Sequence, residues 1–220
     1  MKKALFVLIA LVIACAIFAQ FQFLEPTVLG DGKGVISLGV ESFAKYGVLD
    51  LMEVGLAPLP YIKLGTSIGS VWTALGYGYV PAIGFLDDLN MAFIGVGYYP
   101  GTFSLSLSTA YAEETKHEYD EGINDWLETT ERSIALVSVL AFYNQGKNGE
   151  VKLTGGFSRN LTLSENTAYI DMKVGGSYPW DWWIFDDVFI YGGLGTYFPF
   201  EDLGSVVILG SIGARFSLLR

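Results

Sequence analysis

The chain of 220 residues is 51% hydrophobic and only 16% charged, against about 25% charge in ordinary soluble domains. Its net charge of −10 argues against a nucleic-acid partner. Beyond Ala19 no apolar run reaches the ~20 residues that cross hydrocarbon as a helix, so a helical membrane protein is excluded as well.

Met1-Lys2-Lys3 opens the chain, and an apolar run follows from Ala4 to Ala19, with a small residue before polar Gln20. A basic start, a short apolar stretch and a small residue at the cut make a secretory signal peptide. Residues 1–19 are therefore set apart, and 20–220 form one domain. The competing reading is an uncleaved anchor helix, for which the run is short. Cys15, the only cysteine, lies inside this segment. Val12-Ile13-Ala14-Cys15 looks like a degenerate lipoprotein signal that would place lipid on Cys15, but apolar Ala16-Ile17-Phe18 continues where such a signal turns polar. The mature chain then has no thiol, which neither supports nor opposes export.

From there the pattern is that of strands. Phe103, Leu105, Leu107, Thr109 and Tyr111 alternate with Ser104, Ser106, Ser108 and Ala110, and a period of two gives each set its own face. Similar runs are predicted at 34–44, 61–69, 71–85, 90–99, 132–143, 150–159, 166–177 and 187–198, with a less regular one at 48–56. The last strand places Val206, Ile208, Ile212, Ala214, Phe216 and Leu218 opposite Ser205, Ser211, Gly213, Arg215 and Ser217. Turn-rich pieces separate the runs: Lys45-Tyr46-Gly47, Ala57-Pro58-Leu59-Pro60, Asp87-Asp88-Leu89-Asn90, Pro100-Gly101 and Asn144 to Gly149. These make eleven strands. Closure asks for a twelfth, Gln20 to Leu29, or a merger to ten; twelve is favoured, ten is next and eight is the floor.

A soluble lipocalin-like barrel, periplasmic or secreted, would alternate equally well, but its outer face must be rich in charge. Here the less apolar faces carry mainly Gly, Ser, Thr and Tyr, which suits a confined lumen. Tyr and Trp near strand ends suit membrane interfaces: Tyr77 and Tyr79, Tyr98 and Tyr99, Trp180, Trp182 and Trp183, and Tyr197-Phe198.

The segment 112–131 is the longest expected connector and an outer loop by strand parity. It holds Glu113, Glu114, Glu118, Asp120, Glu121, Asp125, Glu128 and Glu131 around the sole histidine, His117. Clustered carboxylates suit hard cations, yet the spacing lacks the pattern of a calcium loop, so a solvated loop is the favoured reading and no metal is expected. His117 has no nucleophile motif beside it, and no cofactor motif occurs, so neither catalysis nor a cofactor is expected. Gly76-Tyr77-Gly78 and Gly95-Val96-Gly97 read as strand glycines that permit close packing.

On this alternation and these aromatics the mature chain resembles bacterial outer-membrane β-barrels, as an architecture and without a motif of one family. The resemblance implies a single all-β, antiparallel up-and-down barrel in the outer membrane, short periplasmic turns, longer outer loops, and the lipid bilayer and outer-membrane assembly machinery as partners. Such chains usually end on an aromatic residue, whereas here Phe216 is followed by Ser217-Leu218-Leu219-Arg220. The strand registers turn Glu41, Lys63, Asp171, Lys173 and Arg215 inward. These charges would tune a narrow pore for small hydrophilic solutes or ions, the favoured function, or pair into a plug inside a structural or surface-interaction barrel.

Overall fold

The computed structural model describes residues 24–39, 42–57, 59–80, 88–120, 125–144, 148–182, 185–200 and 206–218. Twelve strands run in chain order: β1 (Gly34–Gly39), β2 (Phe43–Leu49), β3 (Met52–Leu56), β4 (Pro60–Ile68), β5 (Val71–Val80), β6 (Asp88–Tyr98), β7 (Phe103–Asp120), β8 (Asp125–Tyr143), β9 (Gly149–Asn160), β10 (Asn166–Trp182), β11 (Phe185–Pro199) and β12 (Val207–Leu218). Each pairs antiparallel with its sequence neighbour, and β1 closes on β12 from Gly34↔Leu218 to Gly39↔Gly213. Closure removes the unpaired edge that lipid cannot solvate.

The side-chain period of two decides what faces out. On β7, Leu105 and Leu107 are half exposed while Ser104, Ser106 and Ser108 are buried. Leu75, Ile94, Leu136, Val174, Leu194, Ile208 and Ile212 continue an exposed apolar band around the wall, with Ile212 at 72% exposure. A band of bare aliphatic side chains around a closed sheet is stable in hydrocarbon and not in water. Aromatic residues bracket it. Tyr46, Tyr98 and Tyr178 are exposed at the end where β12 finishes, with Tyr98 edge-on to Phe103 at 5.9 Å. At the other end the hydroxyls of Tyr77 and Tyr111 donate to Asn90 Oδ1 and Glu113 Oε2. From Val71, paired with Tyr98, to Tyr79 a strand covers about 27 Å, which a tilt of ~40° turns into roughly 20 Å of height.

Three expectations are corrected. The twelfth strand is not Gln20 to Leu29: it arises because the stretch 34–49 folds back on itself as β1 and β2, so that Lys45-Tyr46-Gly47 is ladder and not turn. Residues 24–29 lie inside the barrel instead. The segment 112–131 is not a loop either, for β7 and β8 stay paired from Phe103↔Phe142 to Asp120↔Asp125. Outward of the membrane band they form a two-stranded arm. Finally, the inner face is not polar throughout. Met91, Phe93, Val137, Val139 and Ala141 point inward and are buried, whereas Ser138 faces out.

Candidate functional site

Inside the barrel, buried apolar side chains fill one wall. Tyr61, Ala74, Met91, Phe93, Ala110, Val137 and Val139, from β4 through β8, cluster with Leu24 of the N-terminal segment. Charged side chains line the rest of the inner face, from β9 round through the closure to β3 and β4. Four ion pairs line it: Lys63–Glu53 at 2.7 Å, Lys173–Asp171 at 2.6 Å, Arg215–Glu150 at 2.9 Å and Lys152–Glu25. Lys63 and Glu53 are wholly buried on adjacent strands, and Tyr61 donates a further hydrogen bond to Glu53 Oε1 at 2.8 Å. Arg215 on β12 reaches Glu150 on β9 across two intervening strands.

The fourth pair differs in kind, because Glu25 is not part of the wall. Residues 24–30 thread the lumen, and both walls grip them. Leu24 and Val28 are buried and Pro26 is wholly so. The Leu24 carbonyl accepts from Ser108 Oγ at 2.6 Å and the Glu25 carbonyl from Lys63 Nζ at 3.3 Å, while the Leu29 N–H donates to Glu53 Oε2 at 3.0 Å. Pro26 packs over the glycines of β6, where a Cβ on Gly97 would come within 3.0 Å of it and one on Gly95 within 3.4 Å, with Tyr99 and Ser108 nearer still. The segment then passes Gly47, where any Cβ would collide with the carbonyl oxygens of Leu29 and Gly30. Gly32 N–H donates to the Gly47 carbonyl at 3.0 Å, and the chain turns into β1.

Space remains on both sides of this plug. A cavity of about 260 Å³ opens above Leu24 toward the arm, lined by Met91, Ala112, Ser133, Asn160 and Tyr197. One of about 290 Å³ lies toward the opposite mouth, lined by Tyr99, Phe103, Tyr143, Glu150 and Phe189. Between them a void of only about 20 Å³ lies among Lys152, Lys173, Tyr191 and Arg215.

Of the charges expected in the lumen, Lys63, Asp171, Lys173 and Arg215 sit on the inner face, and Glu41 lies outside the described residues, as do Cys15 and Trp183. Tyr98 faces out, but Tyr99 turns inward to line the lower cavity. The backbone of Trp180 and Trp182 belongs to the end of β10, and that of His117 to β7. Sequence reasoning missed Glu25, Glu53, Glu150 and Lys152. The alternation of Val151 and Leu153 around Lys152 could have found the last of these. Pro26 could have flagged its segment, since proline within a run argues against a central strand.

On the arm, charges pair at its surface. Lys116 Nζ meets Glu131 Oε1 at 2.6 Å and Arg132 Nε meets Glu113 Oε2 at 3.0 Å. The hydrogen bond from Lys116 holds Glu131 below the usual carboxylate range, and that from Arg132 does the same for Glu113. Among the described residues no group of His, Cys, Asp and Glu is arranged to hold a metal ion.

No family model matches the chain, and no curated protein does. Among solved structures it is similar to a porin refined at 1.8 Å resolution, at 12% identity over 83% of this chain and 60% of that one, with a TM-score of 0.47. An anion-selective porin from Comamonas acidovorans aligns at 14% identity over 84% and 58%, with a TM-score of 0.45. OmpT lacking loop L8, an outer membrane protein of Vibrio cholerae, aligns at 14% over 86% and 63%, also at 0.45. The chain thus spans about three fifths of the length of these proteins. Its own closed sheet, exposed aliphatic band and aromatic girdles make it a transmembrane β-barrel of the outer-membrane type.

Proposed function

We propose that this barrel is a narrow outer-membrane passage for small hydrophilic solutes or ions that its own N-terminal segment keeps shut at rest. The observation that supports the reading is the burial of residues 24–30 across the lumen between two cavities. Export belongs to the proposal: removal of 1–19 leaves Gln20 to Phe23 ahead of the plug, and the outer-membrane machinery inserts the barrel. Its role is passage and closure, not catalysis.

Magnitudes favour a plug that can leave. Burying Leu24, Pro26 and Val28 contributes roughly 5–9 kcal/mol, and the four polar links to Ser108, Lys63, Lys152 and Glu53 add about 1 kcal/mol each. Ordering residues 24–30 costs roughly 7–14 kcal/mol. The two sides nearly cancel, so a small change at the plug shifts its occupancy.

The second reading is a permanently plugged scaffold, supported by the Lys63–Glu53 pair that anchors Leu29 with no exposure to water. Single-channel recording in planar bilayers separates the two. The passage reading expects a wild-type barrel that is mostly silent and a Glu25→Gln barrel with frequent, small, steady openings. Silence from both folded proteins would leave the scaffold.

A further inference from the structure

We propose that the carboxylate of Glu25 occupies a site of the lumen wall that takes small anions, carboxylates of about the size of acetate, and that the plug competes with them for it. The inference deepens the reading above and rests on the plug being able to leave.

Within the four ion pairs the charges match with Glu25 in place, Lys63, Lys152, Lys173 and Arg215 against Glu25, Glu53, Asp171 and Glu150, and Lys45 of β2, over the ring of buried Phe43, adds a further positive charge. Three of the carboxylates are fixed to strands. Only Glu25 travels with the plug, so its departure leaves this stretch of wall with an excess positive charge. The site is already shaped for an anion. Lys152 is buried and grips the Glu25 carboxylate. Beside it, a void of about 20 Å³ lined by Lys152, Lys173, Tyr191 and Arg215, with the Glu150 carboxylate held by Arg215 at its edge, has room for about one water. The space of one carboxylate plus one water is the space of a small carboxylate ion. In so confined a cluster a charge is worth more than in bulk water, and once Glu25 has left, the cations around the void outnumber the carboxylates of Glu150 and Asp171.

The test is chemical rescue of the full chain folded in detergent. Glu25→Ala removes the resident carboxylate, and acetate is the probe, with neutral acetamide as its control at equal ionic strength. Acetate is expected to raise the midpoint of heat-modifiable gel migration of Glu25→Ala by roughly 2–4 °C more than acetamide. It should do nothing for the wild type, and the gain should vanish when Lys152→Gln is added. Equal effects of acetate and acetamide, or a gain that survives Lys152→Gln, would overturn the site. If Glu25→Ala does not fold, Glu25→Gln, which keeps the shape, decides by its reversal potential in a potassium chloride gradient. Chloride-preferring openings support the site and potassium-preferring ones refute it. A silent Glu25→Gln barrel counts against the passage, and the site is then decided by the refolding yield of Glu25→Ala in acetate against acetamide: recovery in acetate alone supports it and equal yields overturn it.

Discussion

The two walls of the lumen hold the same segment by different physics. From β5 through β8 apolar side chains dominate the inner face, and they hold the Leu24 side chain by burial, which is non-directional and tolerant of small shifts, with Ser108 adding one hydrogen bond to its carbonyl. The opposite wall holds Glu25 and Leu29 through charges and hydrogen bonds that work at one geometry. The apolar wall therefore gives the plug affinity, and the charged wall gives it register. A pore lined only by the first would be filled for good, and one lined only by the second would stay wet.

The largest effect separating the walls is expected from Lys63→Ala. It strands Glu53 in a site with no exposure to water, and breaking a buried pair from one side costs about 3–5 kcal/mol. Urea unfolding of the folded barrel in lipid vesicles reads the loss directly. Replacing both partners together, as Lys63→Met with Glu53→Leu, should recover most of it. On the apolar wall, Val139→Ala removes two buried methyl groups and should cost about 2 kcal/mol. Recordings should stay silent there, because the polar links to the plug remain.

Gly47→Ala sharpens the contrast from a third direction. The added methyl meets the carbonyls of Leu29 and Gly30, and overpacking of this kind costs roughly 1–3 kcal/mol. The push falls on the plug, so openings in planar bilayers should rise with only a modest loss in unfolding stability. The smallest effect belongs to the arm. Glu113 and Glu131 titrate below their ordinary value of 4.5, so their contribution is complete above that pH and fades as the pH falls through the lowered values. Amide protection, corrected for intrinsic rates, should drop on acidification at the arm's pairs near Glu113↔Arg132 and not at the lumen strands.

Much of this barrel is legible in the alternation of its strands. Leu105 and Leu107 against Ser104 and Ser106 fix one face each, and Lys63, Asp171 and Arg215 fall on the inner set by the same count of two. What the period does not carry is what lies across the lumen. Met91, Phe93, Val137 and Val139 are as apolar as their outward neighbours, so on β6 and β8 alternation of polarity fades and only closure tells inside from outside. The arm was hidden for the same reason: Glu113, Glu114, Thr115 and Lys116, facing Thr129 to Arg132, are polar at successive positions, and a strand without an apolar face reads as a loop. The plug left one local sign, Pro26, but its partners on β3, β4, β7 and β9 are brought near only by the closed barrel.

Cross-linking tests the central claim, a lumen closed by the chain's own N-terminal segment, most directly. A Cβ on Gly95 stands 3.4 Å from Cβ of Pro26, close to the ~3.5–4.5 Å of a disulfide, and Ser108→Ala is added because that Cβ would strike the Ser108 hydroxyl. In a Cys15→Ser background the chain has no other cysteine. Pro26→Cys with Gly95→Cys should oxidise to an intramolecular disulfide in intact outer membranes, and the purified barrel should stay silent until a reductant is added. Two free thiols in the folded protein, with the one at position 26 labelled by a bulky water-soluble maleimide, would place the segment outside the lumen and contradict it.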